Sequence, residues 1–284
     1  MRSIINYYVL CKRSSTMAKL DFAVIGNPVD HSMSPQIHNF FAKQFDFKNY
    51  SYEKILSSEE NFKKTVNDFF KGGGSGLNIT VPFKIDAYNL CGTLDDTASQ
   101  CGSVNTLKKE SGKIKGYNTD GQGFIDDLIK KDVCINNSRI LILGAGGSAM
   151  SIASSLIRKS RETKISILNR TISKADRLIE FFKNNKLEIH KTGSVYDLVI
   201  NTTPISMSRD KIIFPNNFIK SSTTCYDLFY SKQQTIFQEW SHKNGIKNCY
   251  DGLGMLIEQA KHSFAIWNDK IPDTSNLEEQ LRLT

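Results

Sequence analysis

Nothing in the 284-residue sequence approaches the roughly 20 consecutive apolar residues that a bilayer-spanning helix needs, so no membrane span is expected. The apolar patch from Ile4 to Leu10 is followed, not preceded, by the basic pair Lys12 and Arg13, which is the wrong order for a secretory signal. Residues 1–16 are therefore expected to form a disordered extension ahead of Met17, outside the fold. The cysteines at positions 11, 91, 101, 134, 225 and 249 include no C-x-x-C pair and no matching histidine spacing. That excludes a zinc site or disulfide framework of the usual kind and points to a reducing, cytoplasmic compartment. Histidines 31, 38, 190, 242 and 262 are too dispersed to suggest metal ligation. The net charge is +8, yet the lysines are scattered and no dense basic run appears. A solvated surface with an anionic small-molecule ligand fits this better than a nucleic-acid partner.

What remains is an ordinary globular composition, 39% apolar and 23% charged. At the usual ~150 residues each, the length allows two domains. Phe22 to Ile25 reads as a buried first strand ending in Gly26-Asn27-Pro28. Ser32 and Ser34 then flank Met33, just ahead of Pro35 and the apolar helical spacing Ile37, Phe40, Phe41 and Phe45. Hydroxyls at a helix N-terminus, where N–H groups are unpaired, are placed to hold a carboxylate, although either serine alone reads equally as a cap. A strand from Tyr50 to Ile55 leads to Ser57 and Glu60, spaced as a capping box for a helix carrying Phe62, Val66, Phe69 and Phe70. Gly72 to Gly74 lacks a Walker lysine and reads as a helix stop.

The stretch N-I-T-V-P-F-K, Asn78 to Lys84, carries the chemistry. Pro82 stops its strand, alternation puts Asn78 and Thr80 on one face, and Lys84 follows at the carboxyl end, where ligands collect in open α/β sheets. A helical stretch to Gly102, a strand from Ser103 to Leu107 bearing Asn105, a turn at 110–112 and a strand from Lys113 to Tyr117 then deliver Asp120. A lysine and an aspartate sharing a site can pass a proton to and from a substrate hydroxyl, whereas read alone the pair is a surface ion pair.

Arg139 to Leu143 is a buried strand running into Gly144, Ala145, Gly146, Gly147, Ser148 and Ala149, the G-x-G-x-x-A pattern in its strand-turn-helix setting. The next strand, Ile165 to Leu168, ends at Asn169, where NAD-preferring domains carry an acid, with Arg170, Thr171 and Lys174 beside it. Losing a carboxylate and gaining cations favours a 2′-phosphate, and hence NADP(H). Strands ending at Asn201 and Leu228, then a helix from about Asp251 to Trp267 with Gln259 inside it, complete the pattern. Without further context Gln259 reads as solvent-exposed.

The chain resembles the shikimate dehydrogenase family from Leu20 to about Pro272. The resemblance rests on G-N-P-V-D-H-S-M-S-P, N-I-T-V-P-F-K, G-S-V-N-T-L, G-Y-N-T-D-G, G-A-G-G-S-A, N-R-T, D-L-F-Y and D-G-L-G-M-L, in that order. It implies an α/β fold of two domains: an N-terminal substrate domain (17–120 and 256–284, the last helices returning to it) and a Rossmann-like NADP-binding domain (121–255). It also implies reversible NADPH-dependent reduction of 3-dehydroshikimate to shikimate, in the aromatic amino acid pathway, by a cytoplasmic monomer or homodimer without a metal.

Carried over residue by residue, Lys84 and Asp120 are the implied catalytic pair. Ser32, Ser34 and Tyr230 would hold the substrate carboxylate, and Asn78, Thr80, Lys84, Asn105, Asp120 and Gln259 the hydroxyl-bearing ring. The implied cofactor residues are Asp96, Gly144, Ala145, Gly146, Gly147, Ser148, Asn169, Arg170, Thr171, Lys174, Leu228 and Gly252. Three departures stand out: a lysine at 174 where many members have arginine, a short segment between Phe182 and Asp197, and the unmatched extension. The alternatives are an NAD-using quinate/shikimate dehydrogenase and a non-catalytic dinucleotide sensor.

Overall fold

The run from Phe22 to Ile25 has no polar alternation, so it needs cover on both faces, and it receives it as the second strand of a six-stranded sheet. The computed structural model describes residues 20–207 and 217–283; the expected extension, 1–16, lies outside them. In chain order the first half contains β1 (Leu20–Gly26), α1 (Ser34–Gln44), β2 (Tyr50–Leu56), α2 (Phe62–Lys71), β3 (Gly76–Ile79), α3 (Lys84–Leu90) and β4 (Thr93–Leu94). It continues with α4 (Asp96–Cys101), β5 (Thr106–Glu110), β6 (Lys113–Tyr117) and α5 (Asp120–Lys130). The sheet order is β2-β1-β3-β5-β6-β4, with β5 antiparallel to both of its neighbours. Ser111 and Gly112 both take positive φ in the tight β5–β6 turn, as a two-residue hairpin requires.

Three local expectations fail. The strand expected from Ser103 starts only at Thr106, so Asn105 lies just ahead of β5. Ser57 does not cap α2, whose N-cap is Asn61. Its N–H still pairs with Gly26 as a continuation of β2, and its hydroxyl meets Thr65 Oγ1 at 3.1 Å. The stretch from Lys84 to Gly102 is not one helix. Thr93 and Leu94 pair with Lys115 and Gly116 of β6, and this ladder splits the stretch into α3 and α4.

The second half contains β7 (Arg139–Leu143), α6 (Gly147–Lys159), β8 (Lys164–Leu168), α7 (Ile172–Phe182), β9 (Leu187–Ile189), β10 (Leu198–Asn201) and β11 (Thr224–Asp227). After these come α8 (Ile236–Lys243), β12 (Cys249–Tyr250), α9 (Leu253–Asn268) and α10 (Leu277–Leu283). The strands form an all-parallel sheet in the order β12-β11-β10-β7-β8-β9. This is the doubly-wound dinucleotide-binding order, with its topological switch between β7 and β10, and ligands bind in such a crevice at the strands' carboxyl ends. The short segment after Phe182 is accommodated by making β9 only 3 residues long.

Helices α5 and α9 join the halves. Phe124, Ile125, Leu128 and Met255 pack into the core of the second sheet, while Leu253, Ile257, Ala260 and Phe264 of α9 pack with Ile37 and Phe41 of α1. Glycines set this spacing. A Cβ on Gly121 would lie 2.1 Å from Ser155 Oγ, and one on Gly123 would lie 2.5 Å from the Gln259 nitrogen. The D-G-Q-G sequence thus seats α5 between α6 and α9, with Asp120 at its head. No helix among the described residues is long and apolar enough to cross a membrane.

Candidate active site

One cleft lies between the two sheets. All nine substrate-side residues expected from sequence line it: Ser32, Ser34, Asn78, Thr80, Lys84, Asn105, Asp120, Tyr230 and Gln259. Ser148, Leu228 and Gly252 line it too. The expectation that Lys84 and Asp120 sit at strand ends is not met: each is the first residue of a helix, α3 and α5. β3 already ends at Ile79, and Pro82 lies in the turn that leads into α3; a helix start also suits a carboxylate at position 120 through the helix dipole.

Lys84 Nζ donates to Asp120 Oδ2 at 2.7 Å and to Ser148 Oγ at 3.1 Å. The side chains are only 12% and 5% exposed, so this is no surface pair. Asp120 Oδ1 accepts from Asn105 Nδ2 at 3.0 Å, which leaves the carboxylate fixed at both oxygens. Gln259 points inward, correcting the solvent-exposed default: its Oε1 accepts from Asn105 at 3.1 Å and its Nε2 donates to Leu256 O at 2.8 Å. Asn78 is committed to the protein. Its Nδ2 meets Asn105 O, Thr106 Oγ1 and Ser263 Oγ, and its Oδ1 accepts from the Tyr52 hydroxyl at 2.6 Å.

At the other end, Ser32 Oγ donates to Ser34 Oγ at 3.1 Å, and Met33 N donates to the Tyr230 hydroxyl at 3.2 Å. The N-cap of α1 is Met33, with no side-chain cap of its own; Ser32 Oγ accepts from Ser34 N at 3.3 Å, while the Ser34 hydroxyl caps nothing in the helix. Burial pushes the Tyr230 phenol above its ordinary value, keeping it a neutral donor. His31, Thr202, Thr203, Phe229 and Met255 also line the cleft and were missed from sequence. Thr202 and Thr203 carried a usable signal, since they follow β10 at the switch point.

Gly144 has φ +111°, and a Cβ there would lie 2.5 Å from Thr202 Oγ1. Gly146, by contrast, faces open space, and α6 presents its first N–H groups beside it. A Cβ on Gly147 would meet Lys84 Cβ at 2.8 Å, so this glycine lets the motif approach the lysine. Asn169 Nδ2 donates to Thr171 O at 2.8 Å, and Arg170 and Lys174 are exposed beyond it. These residues fit a dinucleotide: a backbone cradle for the pyrophosphate, then cations and no acid at the ribose end. Asp96 is exposed at the start of α4, outside the cleft lining, while its neighbour Asp95 caps that helix through Ala98 N at 2.8 Å. No group of three or more His, Cys, Asp or Glu among the described residues could hold a metal.

Asp227 anchors the loops on the Leu228 side, accepting from Ser206 Oγ at 2.6 Å, Asn201 Nδ2 at 2.9 Å and Phe229 N at 3.1 Å. Burial pushes its carboxyl up to about 6, against these donors. A folded value above the unfolded one means that its contribution to stability is complete below about pH 4 and is lost as pH rises through about 6. Urea unfolding of Asp227→Asn and wild type at pH 4.5 and 7.5 should therefore show the wild-type advantage shrinking by about 2 kcal/mol at the higher pH. A gap that does not change with pH would overturn this assignment.

The family model of the shikimate dehydrogenase substrate binding domain matches residues 24–107. That of shikimate/quinate 5-dehydrogenase matches 127–222, and that of the shikimate 5′-dehydrogenase C-terminal domain matches 252–282. Among solved structures, an Ael1 enzyme from Pseudomonas putida is 32% identical, over 93% of this chain and 98% of that one, with TM-score 0.81. Shikimate dehydrogenase from Aquifex aeolicus is 31% identical, over 92% and 97%, with TM-score 0.82. Shikimate 5-dehydrogenase from Thermus thermophilus, in complex with NADP(H) and shikimate, is 28% identical, over 93% and 99%, with TM-score 0.81. With its two-domain fold and with family models matched along most of its length, the chain belongs to the shikimate dehydrogenase family.

Proposed function

We propose that this protein is an NADP-dependent shikimate dehydrogenase, interconverting 3-dehydroshikimate and shikimate. The observation that carries this reading is the buried Lys84–Asp120 pair at 2.7 Å, whose amine also touches Ser148 of the glycine motif. Proton-transfer groups and the cofactor cradle thus meet at one atom. Residues 17–120 with 256–284 form the substrate part and 121–255 the dinucleotide part.

Ser32, Ser34 and Tyr230 hold the substrate carboxylate, and Thr80, Asn105, Asp120 and Gln259 bind the ring hydroxyls over a floor framed by Asn78. Gly144 to Ser148 hold the pyrophosphate, Asn169, Arg170, Thr171 and Lys174 the 2′-phosphate, and Leu228 and Gly252 face the nicotinamide, with Asp96 also on the cofactor side. The dinucleotide supplies or takes up the hydride at the ring carbon bearing the reacting oxygen. Lys84 Nζ gives the proton to that oxygen during reduction and takes it back during oxidation, while Asp120 aims the amine.

The test is a reduced-cofactor assay with shikimate and quinate, each with NADP⁺ and NAD⁺. The highest kcat/KM is expected for shikimate with NADP⁺. No turnover of shikimate would end the proposal, and a preference for NAD⁺ would favour the quinate/shikimate alternative, against which the absence of an acid at Asn169 counts.

A further inference from the structure

The last described helix, α10, lies outside the cleft, yet a chain of charges connects it to the nicotinamide side. Arg282 grips Asp251 with both nitrogens of its fork, NH2 to Oδ1 at 2.7 Å and NH1 to Oδ2 at 3.0 Å. The Asp251 side chain is 3% exposed, and its Oδ1 also accepts from Leu253 N at 3.3 Å. Between them sits Gly252. Its N–H donates to Phe229 O at 3.0 Å, and its Cα packs so closely that a Cβ would lie 2.1 Å from Leu228 O. Gly252, Leu228 and Phe229 all line the cleft.

The circuit closes through the same face of α10, one turn earlier. Glu278 accepts from Arg282 at 2.7 Å and from Lys131 at 3.2 Å. Lys131 pairs with buried Asp127 of α5 at 2.9 Å, and Asp127 accepts from the Tyr226 hydroxyl at 2.5 Å, two residues before Leu228. Each end of this chain thus reaches the same strand end, at Tyr226 and at Leu228.

We infer that Arg282 is a positioning residue for the dinucleotide, acting through Asp251 to hold Gly252 against Leu228 and Phe229. The inference rests on the proposed function only in taking that face as the nicotinamide side. A lysine could not replace the fork, because a point charge meets one oxygen at a time. Loss of the cation would leave Asp251 buried and unpaired, and its loop free to shift.

The test is Arg282→Met in the full chain, read by dinucleotide dissociation constant without shikimate and by separate KM values. Dinucleotide affinity and KM are expected to worsen about tenfold, shikimate KM to stay within about twofold, and Arg282→Lys to fall between. The double variant Asp251→Asn/Arg282→Met, which buries no lone charge, should recover most of the loss. Unchanged dinucleotide affinity in a folded R282M, or equal rises in both KM values, would overturn the inference. If R282M does not fold, R282K carries the same split at smaller size. Dinucleotide binding is measured directly, so it tests Arg282 even where wild type fails to oxidise shikimate, an outcome that would sink the functional proposal alone.

Discussion

Replacing Lys84 with alanine is expected to lower kcat for shikimate oxidation by about 10³-fold while leaving the dinucleotide dissociation constant within about twofold. The size follows from what is removed. Lys84 Nζ is bonded to Asp120 and to Ser148 of the glycine motif, so its loss deletes the group that gives and takes back the proton. Asp120 stays in place, because Asn105 still donates to its Oδ1 and Asn118 Oδ1 still accepts from its N–H. Failure of the variant should therefore be chemical and not a collapse of the site. Steady-state rates, with thermal unfolding as a control, distinguish the two. A kcat within tenfold of wild type would remove Lys84 from the catalytic role.

The second large effect concerns cofactor choice. The double variant Arg170→Ala/Lys174→Ala is expected to cut kcat/KM for NADP⁺ by about 100-fold or more, and that for NAD⁺ by no more than about threefold. Each charge-assisted hydrogen bond to a phosphate is worth roughly 1.5–3 kcal/mol, and both side chains are exposed, so the loss should fall on the 2′-phosphate and not on the fold. Equal losses with both cofactors would mean that these residues do not read the ribose end.

Much of the architecture was legible because its signals are local. The apolar strand into Gly144 and the helix after it, Pro35 in the first turn of α1, and the β5–β6 turn at Ser111-Gly112 each depend on a few neighbouring residues. Two of the failures share a cause. Ser57 has the spacing of a cap, but strand pairing with Gly26 keeps it in the sheet. The stretch from Lys84 to Gly102 has helical composition, but β6 takes Thr93 and Leu94 as a strand partner. In both places a ladder formed with a distant segment outweighed local preference.

The residue types of the site, the glycine cradle and the cations after Asn169 could all be read in the linear order. Their meeting could not. Lys84 and Asp120 are 36 residues apart, and Asn105 and Gln259 are 154 apart. Each alone had a bland reading, as an exposed pair or an exposed amide. Tertiary packing decided otherwise: Gly121 and Gly123 allow α5 to press against α6 and α9, and that contact, which no periodicity encodes, puts Asp120 and Gln259 at one cleft. The same holds for Arg282, whose fork finds Asp251 only because α10 folds back beside the head of α9. Local patterns select the parts because they act over one or two turns of chain; close packing between helices selects which parts touch.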